Sequence, residues 1–158
     1  MKRRGYSKHN NILYLYAAIA LEFSTKDRYP FLAQNDLLLR THAYLGGILR
    51  ESDCPSLTIG GTADHVHAFF RLSRTQQMAK VVETLKSHSS RWIKSRDVGN
   101  FAWQRGYGCF SVGKSQAATL VRYIQNQADH RRRVSFQEEF REFLRCYKIT
   151  FNERYVWD

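Results

Sequence analysis

The residues of this chain whose types and spacing suit chemistry are the tripeptide His65-Val66-His67 and the pair Tyr123 and Gln127. Successive side chains of a β-strand leave opposite faces, so His65 and His67 project from one face roughly 7 Å apart while Val66 points to the core. Two imidazoles so placed can converge on one cation. Tyr123 and Gln127 are four positions apart, which makes them surface neighbours on a helix, and His130 continues the same edge. A phenol that can act as a nucleophile and an amide that can act as a metal ligand then share one helix edge.

Those groups need a strand and a helix to carry them. Leu57-Thr58-Ile59, Gly60-Gly61 as a turn, and the run His65 to Leu72 predict a hairpin with the histidines on its second strand. Ala117, Leu120, Val121, Ile124 and Ala128 recur at helical spacing and predict a helix over 115–131 beside whose apolar stripe Tyr123 and Gln127 fall. Upstream, a basic arm over 1–10 precedes a strand over 12–24 and the loop Lys26 to Pro30. A helix follows, starting near Asn35 or Asp36, with Leu37, Leu38, Tyr44, Leu45, Ile48 and Leu49 as its apolar positions and Ser52 to Pro55 as its end. Met78, Val81, Val82, Leu85 and Trp92 mark another within 75–95; 97–105 reads as loop, 107–112 as a fourth strand, and 136–147 as a final helix. The order β, α, β, β, α, β, α, α predicts a single α+β domain over 1–158. Its plan is ferredoxin-like, a split βαβ antiparallel sheet with helices on one face, followed by the tyrosine helix.

Charge narrows the partner. Lys plus Arg outnumber Asp plus Glu by 25 to 14 in 158 residues, a net +11, which favours a polyanion and above all nucleic acid. Lys80, Arg91 and Lys94 gather on one side of the second helix, and Arg131-Arg132-Arg133 follows the tyrosine helix; these are the candidate contacts. Cys54, Cys109 and Cys146 lack the paired spacing of a zinc site or disulfide framework, so a reducing cytoplasm is expected. Lys2, Arg3 and Arg4 before the apolar run Ile12 to Leu21, with Ala18-Ile19-Ala20, imitate a secretory leader. Tyr14 and Tyr16 interrupt that run, and cleavage after Ala20 would delete the first strand. No stretch approaches the roughly 20 apolar residues of a membrane span.

Gly108-x-x-x-x-Gly113-Lys114-Ser115 matches the phosphate-binding loop pattern, but the residues Cys109 to Val112 between its glycines read as strand, which argues against nucleotide hydrolysis. Asp64 is expected to shape a turn, His88 and His130 to lie at the surface or beside the site, and Trp92, Trp103 and Trp157 to belong to the core.

Phe23-Ser24-Thr25-Lys26-Asp27-Arg28, Asp64-His65-Val66-His67, Trp103-Gln104-x-Gly106-Tyr107-Gly108-x-Phe110-Ser111-Val112, Tyr123-Ile124-x-Asn126-Gln127 and Arg154-Tyr155-Val156-Trp157-Asp158 together resemble, in order, the single-tyrosine HUH transposases of bacterial insertion sequences. The likeness spans essentially the whole chain. It implies an HUH endonuclease domain working as a homodimer in a bacterial or archaeal cytoplasm. His65, His67 and Gln127 would hold a divalent ion, Mg2+ or Mn2+, and Tyr123 would be the nucleophile. The implied reaction cuts and rejoins single-stranded DNA at hairpin ends through a 5′-phosphotyrosine. Ala20 departs from the pattern, standing where many relatives carry a histidine. A relaxase-like or replication-initiator nickase shares this chemistry, and a non-catalytic or inactive hairpin-binding protein would share the charge and aromatic content.

Overall fold

The computed structural model describes residues 16–126 together with Glu138, Arg141, Glu142 and Arg145. Strand-like alternation and helical periodicity resolve into β1 (Tyr16–Ser24), α1 (Asn35–Glu51), β2 (Ser56–Thr62), β3 (His65–Ser73), α2 (Met78–Lys94), β4 (Gly108–Ser111) and α3 (Ala117–Gln125). The sheet order is β2-β3-β1-β4 with every neighbouring pair antiparallel. β1 and β2 therefore run parallel with β3 between them, which is the split βαβ arrangement expected from the element order.

Alternation along the two central strands divides the sheet. Ile19, Leu21 and Phe23 of β1 and Val66, Ala68 and Phe70 of β3 point to one face, where Leu45, Ile48 and Leu49 of α1 and Val81, Val82 and Leu85 of α2 close a buried apolar cluster. Ala20 and Phe69 point the other way and meet Leu120 and Ile124 of α3. The first two helices cover one face as expected, and the tyrosine helix packs against the opposite one.

One expected turn is corrected. Gly60 and Gly61 lie inside β2, paired with His67 and Val66, and the chain reverses at Ala63-Asp64. The two glycines serve close approach instead. A Cβ on Gly60 would collide with the carbonyl oxygen of Ile124 in α3, and at Gly61, which adopts φ 146°, a Cβ would collide with the carbonyl oxygen of His65.

The true reversal is tied down from outside the hairpin. Leu32 N–H donates to the Ala63 carbonyl (2.9 Å), and Thr25 gives both its N–H (2.8 Å) and its hydroxyl (3.1 Å) to the Asp64 carbonyl. Trp103 bridges to Thr25, donates its indole N–H to Ser89 of α2 (2.9 Å) and packs edge-on against Phe23 and Phe101. Lys86 of α2 donates to the carbonyls of Gln104, Arg105 and Gly106 at 2.8–3.1 Å, so the loop into β4 is clamped to the helix layer. The Phe23-to-Arg28 and Trp103-Gln104 segments thus act as braces for the turn that precedes His65.

The first half of the phosphate-loop pattern is strand and not loop: Gly108 to Ser111 are β4, with Cys109 opposite Leu21 of β1, and only 112–115 belong to the connection into α3. Trp92 and Trp103 are half-buried and packed among aromatic rings. The basic arm over 1–10, Cys146 and Trp157 lie outside the described residues, as does the expected final helix apart from the four isolated positions named above, which are helical. No helix among the described residues is long and apolar enough to cross a membrane.

Candidate metal and nucleophile site

β3 presents His65 and His67 on the α3 side of the sheet, with ring centroids 5.0 Å apart and both residues at most 2% exposed. The register places Ser24 opposite His65 and Glu22 opposite His67 on the neighbouring β1. Each imidazole has a carboxylate at its Nδ1. Asp64 Oδ1 lies 2.8 Å from His65 Nδ1, and Thr62, across the reversal, donates its hydroxyl to the same Oδ1 at 3.1 Å. Glu22 Oε2 lies 3.7 Å from His67 Nδ1, within ion-pair reach though longer than a hydrogen bond. Asp64 therefore shapes the turn, as expected, and also orients a ring.

An imidazole whose Nδ1–H is given to a carboxylate keeps its Nε2 lone pair for a cation. Burial, then repulsion from His65 and His42, pushes the His67 pKa well below its ordinary value, which favours the neutral ring that metal ligation requires. His42 of α1 senses the same cluster: burial and repulsion from His65 lower its pKa to about 4. The donor set fits a divalent ion of the imidazole-accepting kind. Among the described residues no three His, Cys, Asp or Glu side chains make a self-sufficient metal group, so a cation on the two imidazoles would take its other ligands from a different residue type, water or substrate.

The tyrosine arrives from the helix. Leu120 and Ile124 bury one stripe of α3 against Phe69 and Ala20, and Tyr123, at the edge of that stripe, stands edge-to-face with His67 at 5.8 Å between ring centroids. Gly60 makes this seating possible, because any larger residue there meets the α3 backbone. The structure thus brings together His65, His67 and Tyr123 within one chain.

Gln127, His130, Arg131, Arg132 and Arg133 lie outside the described residues. Lys80, Arg91 and Lys94 are exposed on α2, in the layer on the far side of the sheet from the histidines, and Lys80 Nζ is 3.0 Å from Glu83. Sequence reasoning missed Glu22 and His42. Glu22 carried a signal: it is the single charged residue in the otherwise apolar or hydroxylic β1.

The family model described as Transposase IS200 like matches residues 16–127. Among solved structures, the chain is similar to a protein described as a candidate transposase from Deinococcus radiodurans, with 22% identity and a TM-score of 0.56, over 80% of this chain and 97% of that one. It is similar also to a REP-associated tyrosine transposase bound to a REP hairpin, with 12% identity and a TM-score of 0.56, over 80% of this chain and 70% of that one. No curated protein matches. The family model covers well over half of the chain, from the first residue of β1 to just past α3, and on that match the chain belongs to the IS200-like transposase family.

Proposed function

We propose that this protein cuts and rejoins single-stranded DNA at hairpin-bearing ends, using Tyr123 as the nucleophile and a divalent ion, Mg2+ or Mn2+, held by His65, His67 and Gln127. The observation that carries the reading is the placement of the Tyr123 ring against His67, beside a second buried imidazole. The ion, when bound, supplies positive charge that polarises the scissile phosphate. The chain's own groups do the rest.

The Tyr123 phenol oxygen attacks phosphorus, the P–O3′ bond breaks, and the 3′-oxygen leaves as a hydroxyl with the proton given up by the phenol. A 5′-phosphotyrosine keeps the bond energy, so a 3′-hydroxyl can later displace Tyr123 and rejoin DNA without ATP. A free phenol has a pKa of about 10, so nearby positive charge favours its ionised form. Docking of α3 on Gly60 holds the phenol at the histidines and lowers the entropic cost of attack. The chain is proposed to act as one domain over 1–158 and as a homodimer. The hairpin-bound structural relative supports a structured DNA partner for this chain, and the net charge of +11 suits one. Lys80, Arg91, Lys94 and Arg131 to Arg133 are the candidate backbone contacts.

The test incubates wild type and Tyr123→Phe with Mn2+ and labelled single-stranded DNA from the flanks of the gene, followed by a denaturing gel. A slow-migrating adduct from wild type alone is expected. Retained hairpin binding without any adduct would leave a binding role in place of catalysis, and adduct from both proteins would move the nucleophile elsewhere.

A further inference from the structure

The two histidines are not served alike by the local sequence. Asp64 adjoins His65 in the chain and reaches its Nδ1 through the tight reversal. His67 has no such neighbour on its own strand; its carboxylate comes from across the sheet, where the antiparallel register sets Glu22 directly opposite. The Glu22 side chain is 4% exposed and the His67 side chain 3%, with Glu22 Oε2 and His67 Nδ1 3.7 Å apart. A carboxylate is rarely buried this deeply on a sheet face unless an interaction holds it there.

We infer that Glu22 is the positioning residue of His67: its carboxylate, within electrostatic reach of Nδ1, favours the tautomer with the proton on that nitrogen, restrains the ring's rotation and leaves Nε2 for the ion, the part that Asp64 plays by hydrogen bond for His65. Three observations converge on this role. The carboxylate faces Nδ1 of His67, the same ring nitrogen that Asp64 addresses on His65. The register fixes the pair, because shifting β1 by one residue would turn Glu22 to the apolar face. Glu22 also lies on the same face of β1 as Ala20, so the polar support sits next to the α3 contact rather than within it. The role is that of an outer carboxylate acting through the histidine.

This inference rests on the proposed metal site, and the experiment separates the two. Mn2+ affinity of the purified full chain is measured by the loss of free-ion electron paramagnetic resonance signal for wild type, Glu22→Gln and Glu22→Val. Metal-free melting temperatures are recorded for all three. Losing an outer partner of a ligating histidine typically weakens metal affinity by about 10- to 100-fold. Glu22→Val is expected to show that loss. Glu22→Gln, which keeps an acceptor oxygen but no charge, falls between valine and wild type. Metal-free melting temperatures stay at or above that of wild type, because a buried carboxylate has been removed. A purely structural role would lower the melting temperature and leave the affinity order flat, which overturns the inference. Equal Mn2+ affinity in all three folded proteins overturns it while sparing the metal site, whereas a wild type that binds no Mn2+ overturns both.

Discussion

The two faces of the sheet are made by the same strands and do opposite work. On the α1 and α2 face every inward position of β1 and β3 from Ile19 to Phe23 and from Val66 to Phe70 is apolar, and two amphipathic helices bury them. On the α3 face the same strands offer Ala20 and Phe69, then Glu22, His65 and His67, and a shorter helix. Burial of apolar area stabilises by roughly 25 cal/mol per Å2, so the first face holds the fold and frees the second to keep costly polar groups buried. Period-2 alternation lets one strand serve both ends, and Val66 between the histidines is the clearest case: it is fully buried in the large cluster while its neighbours reach the site.

This division predicts where substitutions will hurt. Phe70→Ala, on the covered face, is expected to cost about 3–5 kcal/mol, read as a lowered urea midpoint. A loss no larger than that of a surface substitution would break the contrast between the faces.

The second effect is in pH. His42, whose Nε2 is buried without a hydrogen-bond partner among the described residues, has its pKa lowered from 6.5 to about 4. Between those values the unfolded chain binds the proton and the folded one does not. Stability is therefore full above about pH 6.5 and falls as pH drops toward 4, by on the order of 3 kcal/mol for the gap between the two values. His42→Gln should flatten that part of the stability profile. An unchanged slope in the variant would assign the acid sensitivity to other groups.

The smallest global effect is expected on the α3 face. Gly60→Val forces α3 off its seat, a strain of roughly 1–3 kcal/mol that displacement of the helix can relieve. The melting temperature should move little while covalent capture of DNA drops steeply. Full capture would show that α3 does not depend on this seat, and a large fall in melting temperature would show that the seat carries global stability, against the contrast between the faces.

Much of this layout is legible in the sequence because periodicity reports which side of an element is apolar. α1 and α2 fall within a few residues of where their leucines and valines place them, and the histidines sit on the strand that their alternation demands. The Gly60-Gly61 error has a physical source: glycine signals a turn and a close approach by the same lack of a Cβ, and only the packed α3 distinguishes them. The roles of Glu22 and His42 escape the sequence for a related reason, since a strand glutamate, even one that stands out as the charged residue of β1, or a helix histidine acquires its role from a cross-strand register or an interlayer distance. The braces at Thr25 and Trp103 show how a linear motif encodes such contacts: residues far apart in the chain both secure the turn before His65.

The central claim is that Tyr123 forms the bond to DNA. The most direct measurement is proteolysis of the Mn2+-dependent adduct followed by mass spectrometry of the nucleotide-bearing peptide. The account predicts a 5′-phosphate ester on the peptide that contains Tyr123, located at its phenol oxygen. An ester on any other residue, or an adduct with the protein attached at the 3′ end of the DNA, would contradict it.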